Sequence, residues 1–161
     1  AHGTFQDRLN MDPRTAVFLA LHAEGRTRFT KVLESLTEAD LPKKLAPSPN
    51  SAGFLVRHIG DVELLFAKNV FRLQGVNVHA STVAKGFDTG EWTDLDALKA
   101  YVQESADTLR RAIEATADAD WDTMIETKEF GKKTKAEALG RIVTHTAYHA
   151  GQLALVVKYG R

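Results

Sequence analysis

The sequence contains no cysteine at any of its 161 positions. This absence excludes a disulfide framework, a thiolate-rich metal site and a cysteine nucleophile, although it does not decide the redox compartment. Any thiol chemistry at this protein would therefore need a thiol supplied by another molecule.

Two further absences narrow the range of partners. Neither sign of charge is in excess, because 21 lysines and arginines balance 21 aspartates and glutamates, so no overall field favours nucleic acid or an anionic membrane. No run of about 18 uninterrupted apolar residues occurs, and the segment 1–10 has no basic stretch followed by an apolar one. These features predict a soluble, cytoplasmic protein without nucleic-acid or membrane partners, and the length predicts a single domain over 1–161.

What the sequence does contain is four amphipathic segments. The first predicted helix, about 13–36, begins at Asp12-Pro13, where aspartate can accept free N–H groups and proline has none to leave unpaired. Its inward stripe advances in steps of three and four residues through Phe18, His22, Gly25, Phe29, Val32 and Leu36. Three prolines within 37–50 then end the helical period.

The second predicted helix runs from about Ser51 to Leu73, with Asn50 or Ser51 as its N-cap and Gly75 at its end. One side of it carries Leu55, His58, Val62, Leu65 and Asn69. Residues 75–92 follow as a long loop. Loops of this length in compact domains are often functional, so this one could act as a lid.

A third helix is predicted over about 94–117, because Thr93 with Asp96 resembles a capping box. The segment that follows, 118–133, is too short for another long helix. It predicts a small hairpin or a turn.

The fourth predicted helix, about 135–158, begins at a complete capping box formed by Thr134 and Glu137. Its inward stripe consists of Ala138, Ile142, His145, His149, Gln152 and Val156. Four such helices without a convincing strand pattern predict an all-α fold, a four-helix bundle with a long loop between its second and third helices.

Three histidines lie on inward stripes. His145-x-x-x-His149 places two imidazoles one turn apart, so both could reach one metal ion, although this spacing alone is a weak motif. Thr146 stands where a zincin protease has its glutamate, which disfavours that class. Taken singly, such a histidine is more often a hydrogen-bonded core residue than a ligand. A metal would give His58 and this pair a common partner, and three ligands leave a coordination position open.

At residues 51–59 (SAGFLVRHI) and 145–152 (HTAYHAGQ) the sequence resembles the DinB/YfiT-like superfamily of four-helix-bundle metalloproteins. The resemblance extends over most of the chain. It implies a divalent transition metal, such as zinc, nickel or iron, held by His58, His145 and His149.

Several other residues are candidates for the surroundings of this site. In the same signature, Gln152 could hydrogen-bond a metal-bound water or orient a ligand imidazole, and Gly151 is interpreted as a close-packing glycine. Asp61, three residues after His58, is either an acceptor behind the ligand or a solvated surface carboxylate.

Two further side chains have several interpretations. His22 could be a substrate contact, a proton shuttle or a hydrogen-bonded core residue, the last being the commonest case. Tyr148 could wall a pocket together with Trp92, or both could serve packing.

Characterised relatives in the family that the chain resembles include metal-dependent transferases and isomerases that use thiols such as bacillithiol or mycothiol. The resemblance therefore implies a transferase that acts on a small-molecule substrate with a low-molecular-weight thiol, and no catalytic residue is assigned. A metal-assisted hydrolase, a non-catalytic metal-binding or ligand-binding protein and a helical interaction module remain alternatives. Homodimers are common among similar proteins, and Leu155 and Val157 could serve an interface or broaden the core.

Overall fold

The computed structural model describes residues 11–161 and is mostly helical. Within this span the α-helices are α1 (Pro13–Ser35), α2 (Ala52–Asn69), α3 (Ser81–Lys85), α4 (Leu95–Glu114) and α5 (Lys135–Tyr159). Between α4 and α5 an antiparallel hairpin pairs β1 (Met124–Thr127) with β2 (Gly131–Thr134). The mainly α-helical fold is thus confirmed, with a hairpin in the segment for which a hairpin or a turn was predicted. No helix in the described span is long and apolar enough to cross a membrane.

The four long helices form a closed ring of contacts. Helix α1 packs on α4 and α5, and α2 packs on the same two helices. Two apolar clusters fill the space inside, the first around Phe29, Ile59 and Leu153 and the second around Phe66, Leu109 and Trp121. Each buried side chain of this size stabilises the fold by roughly 1.5 to 3 kcal/mol.

A layer of polar side chains separates the two apolar clusters. On α4, Ser105 lies between residues of the first and second clusters, and Thr146 has the same position on α5. Both hydroxyls donate hydrogen bonds to the carboxylate of Glu63 on α2, which also pairs with Arg26 of α1. One fully buried carboxylate therefore joins all four long helices at the middle of the core.

Two predicted N-caps differ from those observed. Asp12 precedes α1, but its carboxylate accepts the backbone N–H of Asp118 at 2.9 Å and makes no cap hydrogen bond. At α4 the cap is Asp94 rather than Thr93, and its carboxylate accepts the N–H of Ala97 at 2.9 Å. An aspartate at the next position is an equally good acceptor, so the capping box was placed one residue too early.

The other two caps are as predicted. Ser51 accepts the N–H of Phe54 at the start of α2, and Thr134 with Glu137 forms the capping box of α5. However, α2 ends at Asn69, earlier than predicted, and Val70 and Phe71 join the second apolar cluster. The chain turns at Arg72, which has a left-handed φ of 57°, before it reaches Gly75.

The long loop after α2 contains the short helix α3 and is attached to the start of α2. Asp88 accepts the backbone N–H of Ser51 at 2.8 Å. The carbonyl oxygen of Trp92 lies so close to Gly53 that a Cβ there would be 1.9 Å away, so this position requires glycine. The loop is thus held alongside α2 in this structure.

The two residues of α5 that were considered for an interface, Leu155 and Val157, have different surroundings. Val157 packs against the first apolar cluster, so it broadens the core. Leu155 is exposed.

Candidate metal centre

Helices α2 and α5 bring three imidazoles together. His58 lies on α2, and His145 and His149 lie one turn apart on the facing side of α5. Each offers one nitrogen, and these nitrogens all lie within 4.8 Å of one another. The three histidines on inward stripes therefore form one half-buried cluster that could hold a metal ion.

The spacing of the closest pair fits a tetrahedral ion. The Nε2 atoms of His58 and His145 lie 3.2 Å apart. Two nitrogen ligands of tetrahedral zinc, each at about 2.05 Å from the ion, are separated by about 3.3 Å. A transition metal suits three imidazole nitrogens, which are ligands of borderline softness.

A hydrogen bond between Nδ1 of His58 and the hydroxyl of Thr82 fixes the orientation of the imidazole. The Thr82 hydroxyl donates to Asp61 at 2.6 Å, so its only proton is used, and it can only accept from Nδ1 of His58 at 3.1 Å. Nδ1 therefore carries the proton, which leaves Nε2 with a free lone pair. Hydrogen bonds of this kind hold the imidazole ligands of metal sites in the correct tautomer.

His149 is oriented in the same way by Gln152. Nδ1 of His149 lies 2.7 Å from the amide oxygen of Gln152, which can only accept a hydrogen bond. The proton is therefore on Nδ1 and the lone pair is on Nε2. Of the two contacts considered for Gln152, the structure has the hydrogen bond to an imidazole of the cluster.

His145 has an unmet hydrogen-bonding requirement. Its buried Nδ1 has no partner among residues 11–161, and its Nε2 faces the lone pair of His58. The contact between the two Nε2 atoms is either a hydrogen bond from His145 to His58 or the binding of one cation by both lone pairs, in which case the proton of His145 is on Nδ1. Three nitrogen donors within 4.8 Å of one another therefore fit a metal ion.

The three imidazoles are neutral at pH 7. Burial, with the nearby histidines, lowers the pKa of His58 to about 4 and that of His145 to about 3. Burial also lowers the pKa of His149, although its hydrogen bond to Gln152 opposes this. Metal binding requires neutral imidazole, so no proton has to be removed first at neutral pH.

Asp61 is completely buried, so the alternative that it is a solvated surface carboxylate is wrong. Besides Thr82, it accepts hydrogen bonds from Arg57 at 2.8 Å and from the Tyr101 hydroxyl at 2.5 Å. Gly60 makes this possible, because a Cβ there would lie 2.7 Å from the Tyr101 ring. Burial and the bond to Asp61 both raise the pKa of Tyr101, which therefore remains a hydrogen-bond donor.

Sequence reasoning did not find Thr82 or Tyr101. Thr82 lies in the loop between α2 and α4, where no periodicity indicates which way a side chain points. Arg57 and Asp61 were detectable in principle, because opposite charges four residues apart on a helix commonly pair.

A cavity of about 380 Å³ opens beside His145 and His149. It is lined by Arg141, Thr144, His145, Tyr148 and His149. Tyr148 is 65% exposed and lies edge-on to His149, so it walls this pocket and does not serve core packing. Trp92 does not line this cavity, and instead packs against Arg57.

Gly151 does not have the role predicted for it. It is exposed, and a Cβ at this position would meet nothing within 4 Å. Close packing between α1 and α5 occurs instead at Gly25, where a Cβ would lie 2.5 Å from Val143.

His22 lies outside the histidine cluster and does not line its cavity. It is buried on α1, and its Nε2 has no hydrogen-bond partner in the described part of the chain. The expectation of a hydrogen-bonded core histidine is therefore wrong for this nitrogen. Burial, helped by the charges of Arg26 and Arg110, lowers the pKa of His22 to about 4.

This lowered pKa predicts a loss of stability in acid. Between pH 6.5 and 4 the unfolded chain binds a proton that folded His22 does not, so the free energy of unfolding falls as the pH falls. Between pH 7 and pH 5, His22 accounts for a fall of about 2 kcal/mol in the free energy of unfolding. Urea denaturation of metal-free protein at both pH values should show this loss reduced in His22→Leu and retained in His79→Leu, a control at an exposed position. Equal losses in the two variants would show that His22 does not cause the loss of stability in acid.

The structure defines a class: a mainly helical protein with a three-histidine cluster that could hold a metal ion and opens on a cavity. A family model described as the DinB superfamily matches residues 21–153. The chain therefore belongs to the DinB superfamily, which is associated with metal binding. No match was found among curated proteins.

Proposed function

We propose that this protein binds a divalent transition metal through His58, His145 and His149 and leaves at least one coordination position open. The observation that carries the proposal is the convergence of three neutral imidazoles, two of which are held with their lone pairs directed away from Thr82 and Gln152. Zinc, nickel and iron all suit a donor set of nitrogen atoms.

The proposal includes the finer architecture, a four-helix bundle of the DinB type. The closed ring of contacts among α1, α2, α4 and α5 supports it. Bundles place metal sites between facing helices, and α2 and α5 are such a pair here.

The proposed reaction is a transfer that involves a low-molecular-weight thiol and a small-molecule substrate. The metal, when bound, would supply a Lewis acid that lowers the pKa of a thiol or a water molecule. The chain has no thiol of its own, and the cavity beside His145 and His149 gives a small molecule access to the site. A hydrolase that uses water, and a binding protein without turnover, are the alternatives.

Two measurements on untagged protein purified without added metal test this proposal. Elemental analysis should give about one equivalent of metal in the wild type and in His79→Ala, and clearly less in His58→Ala and His149→Ala. Consumption of a thiol in the presence of electrophiles should then be lost on chelation and return when metal is added.

Each alternative gives a different result. Retention of metal in both ligand variants would refute the site. Hydrolysis of esters or amides without a thiol would favour the hydrolase, and bound metal without any turnover would favour the binding protein.

A further inference from the structure

The cavity beside the histidines contains a single charged side chain. Of the residues that line it, Arg141 alone carries a formal charge at neutral pH, and within the described part of the chain none of the lining residues is acidic. The cavity volume, about 380 Å³, is near the lower end of the range for ligand pockets. A molecule that fits here is small and meets positive charge.

Each of the two buried carboxylates near the histidines is paired with an arginine, which offsets its charge. Asp61 lies behind His58 and is paired with Arg57, and Glu63 is paired with Arg26. Imidazoles bind metal in their neutral form, so the ligands contribute no negative charge either. With a divalent ion bound, the cavity wall that a small molecule would meet is therefore strongly cationic.

The guanidinium of Arg141 is available to a ligand. Its side chain is 50% exposed, and the carboxylate that it faces, Glu129, is 47% exposed at 3.7 Å. Such an exposed pair contributes at most about 1 kcal/mol, so a ligand can replace it at little cost. The side chains of Arg26 and Arg57, in contrast, are largely buried in ion pairs.

Arg141 also has the right place along the helix. It precedes His145 by one turn of α5, so the two side chains share a face. The guanidinium presents a planar fork of N–H donors that matches a carboxylate, which gives a directed contact as well as attraction.

From this arrangement we infer that the small molecule bound at the histidine site carries a carboxylate, which Arg141 binds while another group of the same molecule reaches the metal. This inference rests on the proposed metal site and names the chemical class of its ligand. A thiol that bears a carboxylate satisfies both contacts at once.

Cobalt-loaded protein allows a direct test with two matched thiols, 3-mercaptopropionate and 3-mercaptopropan-1-ol. Their binding is followed by the charge-transfer absorbance of sulfur bound to cobalt. The wild type should bind the carboxylate thiol about fivefold more tightly, which corresponds to the roughly 1 kcal/mol of one half-exposed ion pair. This preference should disappear in Arg141→Gln, remain in part in Arg141→Lys and persist fully in Arg110→Gln, a control on α4 away from the cavity.

The outcomes separate this inference from the proposed function. Equal binding of the two thiols by the wild type, or a preference that persists in Arg141→Gln, would overturn the role of Arg141 while the metal site stands. If neither thiol gives the absorbance in protein that holds cobalt, no thiol binds the metal, and that part of the proposed function is wrong. Succinate and propionate, titrated against the cobalt bands, then decide: a preference for succinate that is lost in Arg141→Gln supports the inference, and its absence overturns it.

Discussion

Replacement of Arg26 by methionine is expected to lower the free energy of unfolding by about 3 to 5 kcal/mol at pH 7. Glu63 is fully buried, and Arg26 is the only cation that contacts it within residues 11–161. Burial raises the pKa of Glu63, whereas the guanidinium and the hydroxyls of Ser105 and Thr146 lower it. Without Arg26 the carboxylate must either stay charged without a counter-ion or take up a proton.

Urea denaturation of metal-free protein measures this effect. Arg110→Met is the matched control, because Arg110 is a half-exposed arginine whose ion pairs with Asp107 and Glu114 lie at the surface, and such pairs contribute about 0 to 1 kcal/mol. The double variant Arg26→Met/Glu63→Gln should be more stable than Arg26→Met, since it has no buried charge. A loss in Arg26→Met no larger than in Arg110→Met would show that Glu63 does not depend on this partner.

Replacement of Thr82 by valine is expected to weaken zinc binding about 10- to 100-fold, as is usual when a residue that orients a metal ligand is lost. Valine has nearly the same shape as threonine, but its side chain can neither accept from Nδ1 of His58 nor donate to Asp61. The backbone N–H of residue 82 still donates to Asp61 at 3.0 Å, so the variant removes only the contacts of the hydroxyl. The imidazole would then be free to change its tautomer and to rotate. Competition with a chromophoric chelator measures the affinity.

Serine at position 82 provides the control for this variant. Thr82→Ser keeps the hydroxyl and should retain zinc affinity within about threefold of the wild type, since only a methyl group is lost. Similar losses in the valine and serine variants would mean that packing of α3 matters and that the hydrogen bonds do not.

The long helices and the histidine positions could be predicted because both follow from periodicity. Steps of three and four residues placed His58, His145 and His149 on inward stripes, and the helices then had to face one another to bury those stripes. To predict the histidine cluster, it was therefore enough to identify the inward stripe of each helix.

Contacts between elements could not be predicted in this way. Thr82 reaches Asp61 from a loop, and Glu63 meets Arg26 from a different helix, so the partners are far apart in sequence. A sequence pattern shows which face of a helix is apolar, but it does not show which two polar groups meet across the core. The helix ends failed for a related reason: neighbouring polar residues can each serve as a cap, as Thr93 and Asp94 illustrate.

The attachment of the loop to α2 restricts how it can move. Thr82 binds Asp61 near the middle of α2, while Asp88 and Trp92 hold the loop against Ser51 and Gly53 at its start. A lid that lifted as a whole would release His58 from the hydrogen bond that orients it. A single protease cut between Thr82 and Asp88 would leave every histidine in the chain, yet loosen the segment that steadies one of them. The amount of metal that the protein retains after such a cut therefore measures how much the loop contributes to metal binding, although the loop contains none of the proposed ligands.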